Sequence, residues 1–545
     1  MSIEQANILK SIQVRWKRWQ VNRSVWRLAR LVTQHAPLKS STASAEDSSP
    51  VVFFNASTRL VGLSQNAAFA LLAAAGLQFA GVPVVYFTCQ AGMRRCVLGT
   101  QPEDLQASPP CRACIAQSHR LFAHAPAVPF QYLEDSVLAS ALEGLDISQL
   151  ASFVFQDQPL GMLVLPSVRW VLRRHHLQND SSTRQLFRDY ILSAQRVGQE
   201  FSAFLDQAKP RSVVVFNGMF FPEAVARRTA QQRGLRVITH EVGLQPFSGF
   251  FTDGQATAYP LEIPDSFQLD ETMNARLDSY LEQRFQGKFS MAGIQFWKAI
   301  DGLSDKLLEK AAHFRQLVAV FTNVIFDTSQ PHSNVVFPHM FAWLDLVVAL
   351  AQKHRDTLFV MRAHPDENRL WKESRESVAN WVEDNQVKAE PNIVFIDSSQ
   401  PLSSYELVQR SKFIMVYNST IGLEASILGS PVLCAGKARF TQLPTVFSPK
   451  TIHEYQDMAE RFLLAEKLDV PLEFQHNARR FLYFQLFRSS LPFENFLEAD
   501  GIWPGFVRLR SFTWQQLTPE YSLAHRVLVD GILNGGEFIL PEAVE

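Results

Sequence analysis

The sequence has little of what marks several large classes of protein. Cysteine is scarce, with five residues in 545, which argues against a secreted scaffold held by disulfides. Neither charge is in excess, because 52 Lys and Arg stand against 53 Asp and Glu. The overall charge therefore gives no support for nucleic acid as a partner. No long apolar run follows the first ten residues, so we expect no signal peptide and a cytoplasmic protein.

Uninterrupted apolar segments that could cross a membrane are also missing. Leu60–Met93 contains no charged residue and is long enough to span a bilayer. However, glycines, polar side chains and Pro83 divide it into a helix, a turn and the apolar strand Val84–Phe87. We therefore expect a buried β-α-β element here, with a transmembrane helix as the alternative.

What is present is an alternation of short apolar strands with helices, in a chain that is 47% hydrophobic. This pattern predicts an α/β protein with parallel, Rossmann-like sheets. With about 150 residues per domain as a guide, the chain is long enough for several domains. The expected divisions are a basic amphipathic helix and linker at 1–45, an N-terminal Rossmann-like domain with a Cys-containing insertion at 46–290, a helical connection at 291–316, a second Rossmann-like domain at 317–470 and a helical segment at 471–545.

The first forty residues are basic and rich in tryptophan. Eight Lys and Arg face one Glu, and Ile12, Trp16, Trp19 and Trp26 recur at near-helical spacing. Tryptophan beside cations suits a helix that lies on an anionic membrane surface. A helix packed on its own protein, with a solvated basic face, would show the same pattern, and both interpretations stay open.

Two loops in the second half carry groups that bind anions. Arg362–Glu367 (RAHPDE) follows a predicted strand, and Arg and His side chains donate hydrogen bonds to anionic oxygens. Asn418–Ala425 (NSTIGLEA) follows the strand Phe413–Tyr417 and places two hydroxyls and a glycine at the start of a helix, where backbone N–H groups are also available. Each loop alone is explained equally by an ordinary turn or helix cap. Together they predict a phosphate site.

These loops, with Phe321–Asp327 upstream, resemble the capsule polysaccharide biosynthesis family of bacterial glycosyltransferases, which includes Kdo transferases. The patterns RxHPxE and YNSTxGLEAxxxGxPV are similar to the nucleotide-binding half of those GT-B enzymes, over residues 317–440. The resemblance implies a GT-B-like fold, in which two Rossmann-like domains face a cleft and helical extensions flank them. It also implies an acceptor domain at 46–290 and a nucleotide-sugar-binding domain at 317–470, with a CMP-linked sugar as one option for the donor.

The donor-binding candidates are Arg362, His364, Asn418, Ser419, Thr420, Gly422, Glu424, Asn323 and Lys437. The resemblance implies that His364 contacts the donor phosphate or base, and His364 is also a catalytic candidate. Ser419 and Thr420 would bind phosphate. Gly422 would let a ligand approach the backbone, and Glu424 would accept hydrogen bonds from the ribose. No Asp-x-Asp motif stands in a convincing loop, so we expect metal-independent transfer that requires no cofactor.

The acceptor side is less well defined. Glu241 follows the strand Val237–His240 and is the candidate base for an acceptor hydroxyl, although a structural carboxylate is an equal reading. The acceptor-binding candidates, all at predicted strand ends, are Asn55, Ser57, Arg59 and Asn217.

Four of the five cysteines lie within 26 residues of one another: Cys89, Cys96, Cys111 and Cys114. Only the last two have the CxxC spacing of a metal-binding pair. A structural zinc ion, an iron–sulfur cluster, a redox or disulfide pair and unlinked thiols are all compatible with this spacing.

The two loops and the resemblance thus predict a cytoplasmic glycosyltransferase of surface-polysaccharide assembly that uses a nucleotide sugar and a polysaccharide or lipid-linked acceptor. Residues 1–40 would provide peripheral contact with the inner face of the membrane. Two alternatives stay open. One is a polyol-phosphate transferase with the same phosphate-binding loops, and the other is a catalytically inactive relative that binds nucleotide or serves as a scaffold.

Overall fold

The computed structural model describes residues 3–37, 49–56, 62–285, 302–369 and 372–542, with side chains from residue 12 onward. Two sheets, one mainly and one wholly of parallel strands and each covered by helices, form two domains. The domains face each other across a cavity to which both contribute. The α/β, GT-B-like arrangement expected from the sequence is confirmed.

The N-terminal domain is built on a seven-stranded sheet. In spatial order the strands are Leu491–Pro492, Ser248–Thr252, Arg236–Val242, Ser212–Phe216, Val51–Asn55, Val84–Cys89 and Ala127–Phe130. The last five of these are parallel to one another. The first two extend the sheet at one side, each antiparallel to its neighbour. The helices of this domain are Gln65–Phe79, Cys111–Leu121, Ser136–Ala141, Ile147–Ala151, Leu160–Leu172, Ser181–Ala208 and Glu223–Gln231.

The uncharged segment after Leu60 forms the expected buried element. Ser64 caps the helix Gln65–Phe79 by accepting a hydrogen bond from the N–H of Ala67 at 3.2 Å. The helix is buried along most of its length and connects two neighbouring parallel strands, Val51–Asn55 and Val84–Cys89. In the part of the chain that the structure describes, no helix is both long and apolar enough to cross a membrane.

The C-terminal domain has a five-stranded sheet that is parallel throughout. Its strands, in spatial order, are Ile393–Ile396, Thr357–Arg362, Gln316–Phe321, Phe413–Val416 and Val432–Cys434. Its helices are Asp305–Ala312, Gln330–Ser333, Met340–Lys353, Val378–Asp384, Ser404–Arg410, Ile421–Ile427 and Ile452–Leu464. The carboxyl ends of parallel strands share one edge of the sheet, so the loops that follow residues 321, 362, 416 and 434 come together there.

One helix and the C-terminal segment depart from the expected division of the chain. The helix Glu271–Phe285, expected in the N-terminal domain, buries Leu277 and Leu281 in the core of the C-terminal domain. The segment after residue 471 is helical only in part. The helix Leu472–Tyr483 packs on the C-terminal domain, and the helix Leu523–Asn534 packs on Gln65–Phe79 of the N-terminal domain.

The two ends of the described chain meet on the N-terminal domain. A small antiparallel sheet joins Leu497–Ala499, Phe506–Leu509 and Leu63–Ser64. The first helix, Ile3–His35, lies against this sheet, and its Ser24 Oγ accepts a hydrogen bond from the N–H of Leu509 at 3.2 Å. Residues from both ends therefore complete the hydrophobic core around the helix Gln65–Phe79.

Candidate functional site

A cavity of about 290 Å³ opens between the domains at the carboxyl edge of the C-terminal sheet. Thr257, Ala258 and Pro260 line it from the N-terminal domain. From the C-terminal domain, the structure brings together six of the residues singled out in the sequence: Asn323, His364, Asn418, Ser419, Thr420 and Lys437. A cleft between two α/β domains at strand ends is the usual place for a small-molecule site in such folds.

His364 is held in one orientation by its own loop. Its Nδ1 accepts a hydrogen bond from the N–H of Asp366 at 3.1 Å. Because Nδ1 is the acceptor, the proton of the neutral ring is on Nε2, which makes that nitrogen a donor. Burial is the largest influence on the ring and lowers the pKa of His364 below its ordinary value. The imidazole is therefore a neutral donor at neutral pH, suited to an anionic oxygen.

The Asn418–Thr420 loop is fixed by an amide network. Asn323 Nδ2 donates to Asn418 Oδ1 at 2.6 Å, and Asn418 Nδ2 donates to Ser333 Oγ at 2.6 Å. Thr420 stands at the start of the helix Ile421–Ile427, but its hydroxyl makes no capping hydrogen bond. An ordinary helix cap therefore does not account for this hydroxyl.

Cations outnumber carboxylates in the lining of the cavity. Lys437, Arg439 and Arg369 line it together with Asp327 and Asp366. The guanidinium of Arg439 also lies over the ring of Tyr259 in the N-terminal domain, 4.1 Å from its centroid. This surplus of positive charge, at a site with neutral hydroxyl and imidazole donors, suits an anionic ligand.

The sequence analysis missed several residues of the cavity. Asp327 lines it, and its Oδ2 accepts a hydrogen bond from Ser329 Oγ at 2.6 Å. His332 Nε2 lies 2.9 Å from Thr257 Oγ1 and so connects the two domains. Burial, with Lys437 and Arg227 nearby, lowers the pKa of His332 to about 4. Asp327 and His332 follow the strand Gln316–Phe321, and the other loops of the cavity also follow strands. This position was the signal in the sequence that could have indicated them as site residues.

Three donor-site candidates lie elsewhere. Glu424 is buried in an ion pair with Arg284, whose Nε is 2.7 Å from Glu424 Oε1, and it also accepts from Tyr405 Oη at 2.5 Å. It is thus a structural carboxylate and not a ribose ligand. A Cβ on Gly422 would meet Val416 and Phe440 at 3.0 and 3.1 Å, so this glycine makes room for internal packing and not for a ligand. Arg362 is buried outside the cavity lining, and burial lowers its pKa to about 10.

Glu241, Asn217 and Asn55 of the N-terminal domain are not in the lining of the main cavity. Glu241 Oε1 accepts from Asn66 Nδ2 at 2.7 Å, and Oε2 accepts from Asn217 Nδ2 at 2.9 Å. Asn217 is therefore placed to orient Glu241 and does not line the cavity. Asn55 ends the neighbouring strand, and its Nδ2 is buried without a hydrogen-bond partner among the described residues. Ser57 and Arg59 lie outside the residues that the structure describes.

The four clustered cysteines are brought together in a second, smaller cavity of about 30 Å³. None of them forms a disulfide. Across the described residues, no three His, Cys, Asp or Glu side chains are grouped closely enough to hold a metal ion.

Comparison with known proteins agrees with the motifs of the C-terminal domain. Residues 290–457 match the family described as capsule polysaccharide biosynthesis protein. No curated protein matches the chain.

Among solved structures, similar folds include two proteins of Thermosulfurimonas dismutans. The KpsC beta Kdo 2,4 transferase is 11% identical over 51% of this chain and 80% of its own, with a TM-score of 0.33. The KpsC beta Kdo 2,7 transferase is 13% identical over 52% and 79%, with a TM-score of 0.30. UDP-GlcNAc 2-epimerase of Neisseria meningitidis, bound to UDP-GlcNAc, is 13% identical over 80% and 98%, with a TM-score of 0.21. Similarity this low supports no inference about residues or substrates. The family match falls on the domain that contributes most of the cavity, and the resemblance of its two loops to the capsule polysaccharide biosynthesis family is confirmed.

Proposed function

We propose that the protein is a glycosyltransferase of surface-polysaccharide assembly. It would take a sugar from a nucleotide-activated donor, with CMP-linked sugars as the first class to test, and pass it to a polysaccharide or lipid-linked acceptor. Residues 317–470 would bind the nucleotide sugar, residues 46–290 the acceptor, and 291–316 would connect them. The observation that carries the proposal is the convergence of His364, Ser419 and Thr420 with cationic side chains in one interdomain cavity.

The chemistry of the cavity suits departure of a phosphate. In sugar transfer, negative charge develops on the leaving nucleotide, and fixed donors and cations at that point stabilise the transition state. Lys437 and Arg439 supply positive charge, and His364 supplies a neutral N–H donor. We therefore expect transfer to continue in the presence of EDTA.

Two carboxylates are candidates for the group that deprotonates the acceptor. Glu241 is fixed by Asn66 and Asn217 on the acceptor side. Asp327 lies in the cavity itself, at the donor side. A base must reach the hydroxyl it deprotonates, so Asp327 is better placed for a substrate in the main cavity, and Glu241 for one that enters over the N-terminal sheet.

The first helix would hold the enzyme at the membrane that carries a lipid-linked acceptor. Its residues Val21, Val25, Leu28 and Val32 are buried against the protein. On the opposite side, Ile12, Trp16, Trp19 and Trp26 are each more than half exposed. The guanidinium groups of Arg23 and Arg30 lie 5.2 and 4.9 Å from the rings of Trp19 and Trp26. Indole rings flanked by cations suit the headgroup region of an anionic membrane.

The donor proposal is tested by binding of nucleotides and nucleotide sugars to purified protein. We expect CMP, UDP or one of their sugars to raise the melting temperature, because a ligand of the native state stabilises it by mass action. His364→Ala should weaken that binding about tenfold, the equivalent of about 1.4 kcal/mol. His453→Ala is the matched control, since the side chain of His453 is 85% exposed and outside the cavity.

The outcomes separate the alternatives. Absence of any shift with wild-type protein would refute the donor site. Equal loss of affinity in both histidine variants would refute the role of His364. Nucleotide binding without turnover of any sugar donor would favour the inactive, nucleotide-binding alternative.

A further inference from the structure

Four of the five cysteines converge on one cavity from three separate segments. Cys89 ends a strand, Cys96 precedes a short helical turn, and Cys111 and Cys114 lie in the first turn of the helix Cys111–Leu121. The remaining lining is apolar, with Met93, Leu98, Pro109, Pro110 and Ile115 among its members. In the part of the chain that the structure describes, no acidic or basic side chain lines this cavity, and the chemically active groups of the described lining are thiols.

Cys89 and Cys96 have the same local arrangement. Both are followed three residues later by glycine, as Cys89-x-x-Gly92 and Cys96-x-x-Gly99. The N–H of Gly92 donates to Cys89 Sγ at 3.1 Å, and the N–H of Gly99 is directed at the sulfur of Cys96. A Cβ on Gly92 would lie 2.3 Å from the ring of Phe130. Any larger residue would therefore clash with this ring at the position that brings the N–H close to Cys89 Sγ. Backbone N–H groups aimed at sulfur are how proteins stabilise and tune metal-bound thiolates.

We propose that Cys89, Cys96, Cys111 and Cys114 bind an iron–sulfur cluster of the four-iron type. A single zinc ion, with Zn–S bonds of about 2.3 Å, needs sulfurs within about 3.8 Å of one another. Among the described residues, no three such side chains are grouped closely enough to hold a single metal ion. Sulfurs spread around a cavity suit a cluster, in which each thiolate binds a different iron. The cluster enters preassembled: each thiol loses its proton and replaces one ligand on one iron, and no electron is transferred.

The cluster would have a structural role independent of the transfer reaction. The loop between Cys96 and Cys111 carries Glu103. Glu103 forms ion pairs with Arg375 of the C-terminal domain at 2.5 Å and with Arg173 at 3.6 Å. Because Cys96 and Cys111 at the two ends of this loop would both bind the cluster, the cluster would fix the path of the loop and the position of Glu103 in this contact between domains.

The test is elemental analysis and spectroscopy of the full chain, purified without oxygen. We expect about four iron and about four sulfide ions per chain, with a broad absorbance band near about 400 nm. Cys111→Ser and Cys114→Ser should each lower the iron content and the band. Cys434→Ser is the matched control and should keep both, because Cys434 is buried in the other domain, away from the cavity.

Three results would overturn the proposal. One is a stoichiometric amount of zinc without iron. Another is metal-free protein in which all four thiols are titrated or are oxidised to disulfides. The third is iron content that is the same in the wild type and in the Cys111 and Cys114 variants. Iron and sulfide are measured on the wild type, so the test holds even if one variant fails to fold.

Discussion

Glu367, the last residue of the Arg362–Glu367 loop, is buried, with only 1% of its surface exposed. Its Oε1 accepts a hydrogen bond from the N–H of Val378 at 3.1 Å, at the start of the helix Val378–Asp384. Burial is the main cause that raises the pKa of Glu367 to about 8, and Asp397 acts in the same direction. This carboxyl is therefore protonated in the folded protein at pH values where it is ionised in the unfolded chain.

The sign of the resulting pH dependence follows from that difference. In the unfolded chain the pKa is about 4.3. The folded state holds its proton more tightly, so the contribution to stability is complete below about pH 4.3 and is lost as the pH rises to about 8. The glutamine of Glu367→Gln does not ionise, so the variant lacks this loss. We therefore expect the free energy of unfolding of Glu367→Gln to rise progressively relative to that of the wild type between about pH 5 and about pH 8. Urea unfolding across this range measures the difference. Glu383→Gln, at an exposed residue of the same domain, is the control for the substitution itself. A stability difference for Glu367→Gln that does not change with pH would contradict the prediction.

At individual residues, the sequence indicated which groups lie near a site but not which way they face. His364, Asn418, Ser419 and Thr420 could be anticipated because they directly follow strands whose ends share an edge. Glu424 lies one turn further along, and its partners Arg284 and Tyr405 are 140 and 19 residues away. Tertiary packing decides which way the seven-residue helix Ile421–Ile427 turns its side chains and whether Arg284 lies next to Glu424. A local sequence pattern predicts neither.

At the scale of elements, the alternation of strands and helices predicted the parallel sheets, because neighbouring parallel strands must be joined by a crossover connection, which is usually a helix. The short strands after residue 490 were not anticipated. Leu491–Pro492 is two residues long and pairs with Ser248–Thr252, and Phe506–Leu509 pairs with Leu63–Ser64. Strands this short have no recognisable period, and their partners lie more than 200 residues away in the sequence.

The first helix has two apolar stripes, and only one of them is covered by the protein. We expect the full chain to float with vesicles that contain anionic lipid, and to be released at high salt as the charges are screened. Replacing Trp16, Trp19 and Trp26 together by Ala should abolish flotation, because the indole rings supply the apolar contact. Trp503→Ala, which removes another half-exposed tryptophan, should float like the wild type.

Two results would contradict this prediction for the helix. Flotation unchanged in the triple variant would show that the tryptophans do not contact lipid. Dimerisation of the wild-type chain that depends on the same tryptophans, without lipid binding, would show that a second copy covers this face.

At the scale of the molecule, the last segment connects the two domains. The helix Leu472–Tyr483 belongs to the core of the C-terminal domain, while Leu523–Asn534 packs on the N-terminal domain. The ion pairs of Glu103 with Arg173 and Arg375 form another contact between the domains. Opening of the cleft must therefore bend the segment between these two helices or break the ion pairs, so the domains are expected to move over a small range.

The contribution of the last helix to the N-terminal domain can be tested with two leucines of the same helix. Leu528 is buried to 1% exposure in the core around Gln65–Phe79, whereas Leu523 is 41% exposed. We expect Leu528→Ala to lower the free energy of unfolding by about 2 to 5 kcal/mol, because it leaves a cavity in a packed core. Leu523→Ala should cost less than about 1 kcal/mol. Hydrogen exchange locates the effect: protection in Leu528→Ala should fall in Val51–Asn55 and stay unchanged in Thr357–Arg362. Equal loss of protection in both strands would mean that the two domains unfold as one unit, and loss in neither would mean that the last helix is not part of the N-terminal core.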